Sequence, residues 1–322
     1  MKRIMKQVLL FAALIIFVSF FSFLLIELSP IDPINAFARS NAIGMTPEIR
    51  AKLIEKWGLD QPFLTRYILW FKNFIRGDLG VSTIYDRPVI EIIKRGFSSS
   101  IRLMALAWVL QGIVGITLGI VSGSNVGSVK DKIIKVYALI FAATPTFWVG
   151  MVLIMIFSIK LGWLPSSMGT PIGVESQFIS SADRLRHLLL PCLTLVFVGV
   201  SNLILHTRTK VEDILNSDYV LYGKAKGIPM NKITYKYAFK NIILPGITIQ
   251  FTYFSELFSG TVLVENLFNY PGLGNLTVQS GLRGDIPLLL GLVLFSTVFV
   301  YLGNRVCDGL YLIIDPRGRG GK

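Results

Sequence analysis

Long apolar runs separated by shorter polar ones set the pattern of this chain. The runs fall at about 8–28, 101–122, 136–160, 187–206, 242–264 and 286–307. Each is near the ~20 residues that an α-helix needs to cross the hydrocarbon core of a bilayer. Lipid offers no partners to backbone N–H and C=O groups, so runs of this length must be helical inside it. The pattern predicts an all-α polytopic membrane protein with six transmembrane helices, and an even number of spans puts both termini on one side. The first run follows Lys2, Arg3 and Lys6, as the core of a signal peptide would. It is longer than the ~7–15 apolar residues of such a peptide. It also ends in Glu27-Leu28-Ser29-Pro30 rather than at a small-residue cleavage site, and reads as a retained helix.

The stretch 29–100 is long but patterned. Thr46-Pro47-Glu48 reads as an N-cap, a proline at the first helical position and an acidic first turn. Ile49, Leu53, Ile54 and Trp57 follow at helical spacing, and Gly58 is a stop signal. Tyr67, Ile68, Trp70, Phe71 and Phe74 form a second amphipathic stretch. The expectation is a long, partly helical outer segment after the first span, serving either as a packed scaffold or as a surface where a delivery protein docks. Inside the second run, Gly115, Gly119 and Gly123 have the small-xxx-small spacing by which two helices approach closely. Pro145 removes a backbone donor from the third run and predicts a kink, either a moving part or simply shape.

The polar, basic interlude 207–240 carries the most information. Ser217 or Asp218 can cap a short helix, Gly227 supplies the left-handed position that ends it, and Pro229 blocks continuation. Asn231 can cap a second helix running through Tyr235, Tyr237 and Phe239 into the fifth span, with Pro245 at its entry to the membrane. A short capped helix between two membrane-bound arms can transmit force, and Leu221, Tyr222 and Ala225 are the side chains that would fill a groove on a partner. Charge alone reads this stretch as a solvated basic loop; the paired start and stop signals favour docking.

Composition agrees with a membrane chain. Mean hydropathy is +0.62 and 16% of residues are charged, against about 25% in soluble domains. The net charge of +13 would suit a nucleic-acid binder, but the 52% hydrophobic content excludes one. Basic residues anchoring cytoplasmic loops explain the charge. Lys2, Arg3 and Lys6 precede the first span, and Lys130, Lys132 and Lys135 lie between the second and third. Arg208, Lys210, Lys224, Lys226, Lys232, Lys236 and Lys240 lie between the fourth and fifth, and Arg305, Arg317, Arg319 and Lys322 close the sixth. All four groups fall on one side, which predicts cytoplasmic N- and C-termini. Cys192 and Cys307 sit far apart in apolar runs and read as packing residues, not as a metal site or a disulfide framework.

Polar groups inside spans are costly and mark functional candidates. They are Gln111 in the second run, Ser201, Asn202 and His206 in the fourth, and Gln250, Ser255 and Glu256 in the fifth. Asn202, Gln250 and Glu256 are the candidates for a translocation path. Glu256 is the sharpest, because a carboxylate well inside an apolar run must face a wet path or a cationic partner; a structural salt bridge or interhelical hydrogen bond is the alternative. His206 sits at the edge of its run and reads as a hydrogen-bonding residue. No H-x-x-x-H or Cys/His cluster occurs, so no tight metal site is visible.

Several short motifs occur in order along the whole chain: Ser29-Pro30-Ile31-Asp32-Pro33, Gly58-Leu59-Asp60-Gln61-Pro62, Arg76-Gly77-Asp78-Leu79-Gly80, Pro145-Thr146-Phe147-Trp148, Leu161-Gly162-Trp163-Leu164-Pro165, Tyr270-Pro271-Gly272-Leu273-Gly274 and Asp315-Pro316-Arg317. Any one is weak. As an ordered set, the chain resembles the membrane permease subunits of ABC importers in the oligopeptide/dipeptide/nickel branch, the binding-protein-dependent transport inner membrane components. Leu221 to Gly227 is similar to that family's cytoplasmic EAA---G loop, with Leu244-Pro245 at its downstream L-P. Leu221, Tyr222 and Gly223 replace the literal E-A-A, so side-chain contacts at those positions do not carry over.

The resemblance implies a first transmembrane helix at 1–28, an extracytoplasmic helical segment at 29–100, a permease core of five helices at 101–310 with a coupling loop at 207–240, and a cytoplasmic tail at 311–322. It implies coupling to an ATPase through Asp218, Leu221, Tyr222, Gly223, Ala225, Lys226, Gly227 and Pro245. The implied partners are a second homologous permease, two ATPase subunits, an extracytoplasmic substrate-binding protein and membrane lipid, in the cytoplasmic membrane of a bacterium or archaeon. The chain itself has no G-x-x-x-x-G-K-[ST] phosphate loop. It is therefore expected to be a non-catalytic subunit that binds no cofactor, with ATP-Mg on the partner ATPases. Peptides are the favoured cargo. Nickel or a metal chelate is the alternative, which Glu256 would suit. A non-ABC secondary transporter is the distant one; broken helices and inverted repeats would mark it, and no repeat relates the two halves.

Overall fold

The computed structural model describes residues 2–30, 32, 34–35, 38, 46–166, 180–229 and 239–314. Among them there is no strand, only an isolated bridge between Val81 and Pro88. The helices are α1 (Lys2–Glu27), α2 (Pro47–Trp57), α3 (Phe63–Ile75), α4 (Val89–Ser124), α5 (Val129–Ala142), α6 (Thr146–Leu153, followed by a π-helical stretch Ile154–Lys160), α7 (Ser181–Leu215), α8 (Asp218–Ala225), α9 (Phe239–Thr252), α10 (Phe254–Leu267), α11 (Leu273–Leu282) and α12 (Ile286–Ile314).

Among the described residues, four helical stretches are long and apolar enough to cross a bilayer: Met5–Glu27, Val89–Ser124, Ser181–Leu215 and Ile286–Leu310. The run expected as one span at 136–160 is instead a broken pair, α5 and α6, bent by 106°. Pro145 stands at the N-cap of α6 rather than inside a helix, so the predicted kink is a break. Counting that pair as one span gives five. The run at 242–264 is divided between α9 and α10 at Tyr253, and each half has 14 residues. The proposed second helix capped by Asn231 and the tail from Asp315 lie outside the described residues, as do Ile31 and Pro33.

The chain folds as two units, Met1–Ser99 with Pro271–Tyr301, and Ser100–Tyr270 with Leu302–Lys322. In the first unit the local signals at 46–58 act as the sequence predicts. Thr46 Oγ1 accepts the N–H of Ile49 at 3.3 Å, and Gly58 takes the left-handed conformation (φ +62°) that ends α2. Arg50 pairs with Asp32 at 2.7 Å. Burial pushes the Asp32 carboxyl up, but the hydrogen bonds from Arg50, Ile34 and Asn35 prevail and hold it below the usual carboxylate range. Helix α3 lies against α1 through Phe20, Phe23, Phe63 and Tyr67, whose hydroxyl is 2.9 Å from Ser19 Oγ. Arg66 closes this contact by pairing with Glu27. Asp285 is fully buried and accepts from Ser82 Oγ (2.5 Å), Ile84 N (3.1 Å) and Leu288 N (3.2 Å), which ties the loop before α4 to the start of α12.

The second unit is built around α7. Gly115, Gly119 and Gly123 on α4 face it, as their spacing predicts. A Cβ at these positions would sit 2.7 Å from Leu203, 2.5 Å from Thr207 and 2.6 Å from the Arg208 carbonyl. Backbones this close leave no room for a side chain, so Gly119→Ala is expected to cost about 1–3 kcal/mol from overpacking. Thermal unfolding in detergent reads that cost, and an unchanged midpoint would contradict the contact. Ala138, Val200 and Ile204 form a buried cluster where α5 meets α7. Asp131, 3% exposed in the first turn of α5, joins the two helices at their other contact. It takes Arg208 side-on, with Nε to Oδ1 at 2.7 Å and Nη2 to Oδ2 at 2.9 Å. Ser122 Oγ (2.6 Å) and the N–H of Gly127 (2.8 Å) complete its carboxylate, and Arg208 reaches Glu212 at 3.0 Å.

Candidate functional site

Two places in the second unit gather the candidate residues. The first is α8, which follows the end of α7. Ser217 has the extended backbone of an N-cap (φ −71°, ψ 153°), but its hydroxyl donates to the Ile214 carbonyl at 2.5 Å instead of capping α8. The stop is as predicted: Gly227 has φ +72°, its N–H donates to the Lys224 carbonyl (2.9 Å), and Ile228 N–H to the Gly223 carbonyl (3.1 Å). This pairing satisfies the last carbonyls of the helix.

Helix α8 has two faces. Val220 and Gly223 are buried. Asp218, Leu221, Tyr222, Ala225, Lys226 and Gly227 are exposed, Leu221 at 51% and Tyr222 at 62%. Lys226 Nζ lies 4.5 Å from the centroid of the Tyr222 ring, an i,i+4 cation–π pair that fixes the ring on the surface. The eight-residue helix therefore turns an apolar and aromatic strip outward, with a basic residue at its end. Pro245 stands within α9, and its side chain lies outside the described set.

The second place is a cavity of about 60 Å³ lined by Gln111, Thr146, Leu195, Asn202, Tyr253 and Glu256, among others. Asn202 on α7 and Glu256 on α10 meet there, with Asn202 Nδ2 donating to Glu256 Oε1 at 3.4 Å. His206, next along the α7 face, has its ring 6.2 Å from that of Tyr253. Gln250 is placed elsewhere. It is 6% exposed, donates to the Trp108 carbonyl at 2.7 Å, and its own carbonyl accepts from Trp108 Nε1 at 3.3 Å, a two-way bond between α4 and α9. Gln111 donates to the Leu195 carbonyl at 2.9 Å, and Gly199 leaves the space that its amide fills. Ser255 donates to Asn304 at 2.7 Å.

Sequence reasoning did not single out Tyr253, Asp131 or Arg208 as a structural set. Ser128 three residues before Asp131 is a capping signal, and it does accept the Asp131 N–H at 3.2 Å. Nothing local foretells the Arg208 partner. No group of three or more His, Cys, Asp or Glu that could hold a metal occurs among the described residues.

The structure thus defines an all-helical chain with several spans long and apolar enough for a bilayer, a multi-pass membrane protein with a short helix displayed at the end of a long one. Residues 115–320 match the family described as binding-protein-dependent transport system inner membrane component, and the chain belongs to that family. It is 33% identical over 319 residues to the oligopeptide transport system permease protein AppB of Bacillus subtilis, covering 98% of each chain. It is 32% identical over 316 residues to a putative peptide transport system permease protein of Brucella abortus, again over 98% of each. To the dipeptide transport system permease protein DppB of Alkalihalophilus pseudofirmus it is 30% identical over 329 residues, covering 97% of this chain and 98% of that one.

Proposed function

We propose that this chain is a membrane-spanning permease subunit of an ATP-driven ABC importer, forming half of a path for peptides delivered by an extracytoplasmic binding protein. Family membership and relatives named as oligopeptide and dipeptide permeases support this. The observation that carries the mechanism is α8: a short helix ended at Gly227, joined to α7, with Leu221 and Tyr222 exposed. It docks on one of two ATPase subunits, which bind and hydrolyse ATP-Mg; this chain binds no cofactor. A second, homologous permease completes the path, and Asn202 and Glu256 face it, with Gln250 supporting the wall. On this reading α5–α6 and α9–α10 each count as one span, giving six, and the Lys/Arg bias favours cytoplasmic termini with residues 29–100 outside. Closure of the ATPases moves α8 and, through α7, switches the path between its two openings.

Uptake by cells lacking this chain, measured with a labelled tripeptide and with radioactive nickel side by side, tests the reading. Peptide uptake is expected to fall and nickel uptake to persist. Loss of nickel uptake alone would make this a metal permease, the reading that the Glu256 carboxylate otherwise favours.

A further inference from the structure

Glu256 lies in the first turn of α10, beside the interruption at Tyr253. It is exposed, and its hydrogen bond from Asn202 is long at 3.4 Å. Among the described residues, none of the ion pairs includes it. The start of a helix offers a carboxylate only a fraction of a positive charge. An ionised carboxylate in an otherwise apolar run is costly unless a cation or water meets it. Among the described residues no cation pairs with it, so the carboxylate is open to water or to a cation arriving from outside.

The size and chemistry of the site say which. A cavity of about 60 Å³ has room for a small polar group with a water. The lining offers a carboxylate, the amide oxygen of Asn202 and the aromatic ring of Tyr253. A primary ammonium has three N–H donors and no acceptor, and aromatic rings attract it. A transition metal would need clustered His, Cys or carboxylate ligands, and none are grouped here among the described residues. We propose that the Glu256–Asn202 cavity is a transient binding site for a primary ammonium group on the cargo, the free amino terminus of a peptide in transit. The proposal rests on the permease reading above. It explains why a charge stands where a neutral residue would be cheaper.

The test uses the complete importer, with its sister permease, ATPases and binding protein, in proteoliposomes, and trialanine as the probe. A water-soluble carbodiimide joins a carboxylate to an amine in contact with it, forming an amide and taking up the released water as a urea. Treatment during turnover is expected to leave trialanine attached to Glu256, read by mass spectrometry of the chain. Glu256→Gln is expected to lower trialanine uptake about tenfold, as loss of a charge-assisted hydrogen bond implies, and Glu256→Asp to stay within about twofold. Coupling of Glu256 to a lysine of another subunit would overturn the proposal by making it a structural ion pair. So would importers that take up trialanine normally with no amide on Glu256, or with full activity in the Gln variant. A wild-type importer that takes up no trialanine would instead sink the peptide-permease reading, and the proposal with it.

Discussion

Asp131→Ala is expected to lower the stability of the folded chain by about 3–5 kcal/mol, the cost of removing one partner from a buried ion pair. The substitution strips Arg208 of two hydrogen bonds at 2.7 and 2.9 Å and leaves Ser122 Oγ and the Gly127 N–H without their acceptor. Glu212, at 3.0 Å, compensates Arg208 only in part, because its side chain is 35% exposed and its charge is partly met by water. Thermal unfolding in detergent checks the loss. The double variant Asp131→Ala with Arg208→Met should recover part of it, because the unpaired buried charge is gone while Ser122 Oγ and the Gly127 N–H remain without their acceptor. A double variant no better than the single one would show that the four groups around Asp131 do not act as a unit.

Gly227→Pro is expected to abolish transport while the protein remains in the membrane. Proline fixes φ near −65°, whereas Gly227 has φ +72°. Proline also lacks the N–H that donates to Lys224 at 2.9 Å. The last turn of α8 must then unwind, and with it the placement of Tyr222 and Lys226. Gly227→Ala keeps the donor and meets only the cost of a left-handed alanine, ~1 kcal/mol, so it should retain much of the activity. Full uptake by the proline variant would refute docking through α8.

The two ends of α2 and the end of α8 were legible in the sequence because cap chemistry is local: Thr46, Gly58 and Gly227 carry their instructions within a few residues. Ser217 was half legible. Its backbone has the cap conformation, but a serine near the end of one helix and the start of the next can bond back to the former, and Ile214 wins. The small-residue stripe on α4 was legible as a close contact, though not that α7 would fill it. The interruption at Tyr253 left no trace: it is a single residue, flanked by the i→i−4 bonds Tyr253 N to Ile249 O (3.2 Å) and Leu257 N to Tyr253 O (3.0 Å), and no glycine or proline marks the site. Pro145 foretold a kink but not a 106° bend with a π-helical stretch beyond it. Broken helices had been expected to mark an ion-driven transporter; this chain has them and belongs to a binding-protein-dependent family, so the feature does not discriminate. Asn202 and Glu256, 54 residues apart, meet, whereas Gln250, no less polar in the sequence, is turned into a helix contact. Asp131 and Arg208 are 77 residues apart. Such pairings depend on how helices are laid beside one another, which periodicity along one helix does not encode.

The portion of α7 between Asn202 and Leu215 contains neither proline nor glycine, and Pro191, inside the same helix, lies beyond Asn202 from α8. This arm is about 20 Å long. It is braced along one side by α4, in backbone contact at Gly119 and Gly123, and clamped to α5 by the Asp131 carboxylate. A strut so held has little compliance. On the docking proposed above, a displacement applied at α8 would reach Asn202 along a helix with no proline or glycine to absorb it as bending. Softening the strut would not block the pore. On the same proposal it would let the ATPases turn over while the path stands still, like a slipping clutch.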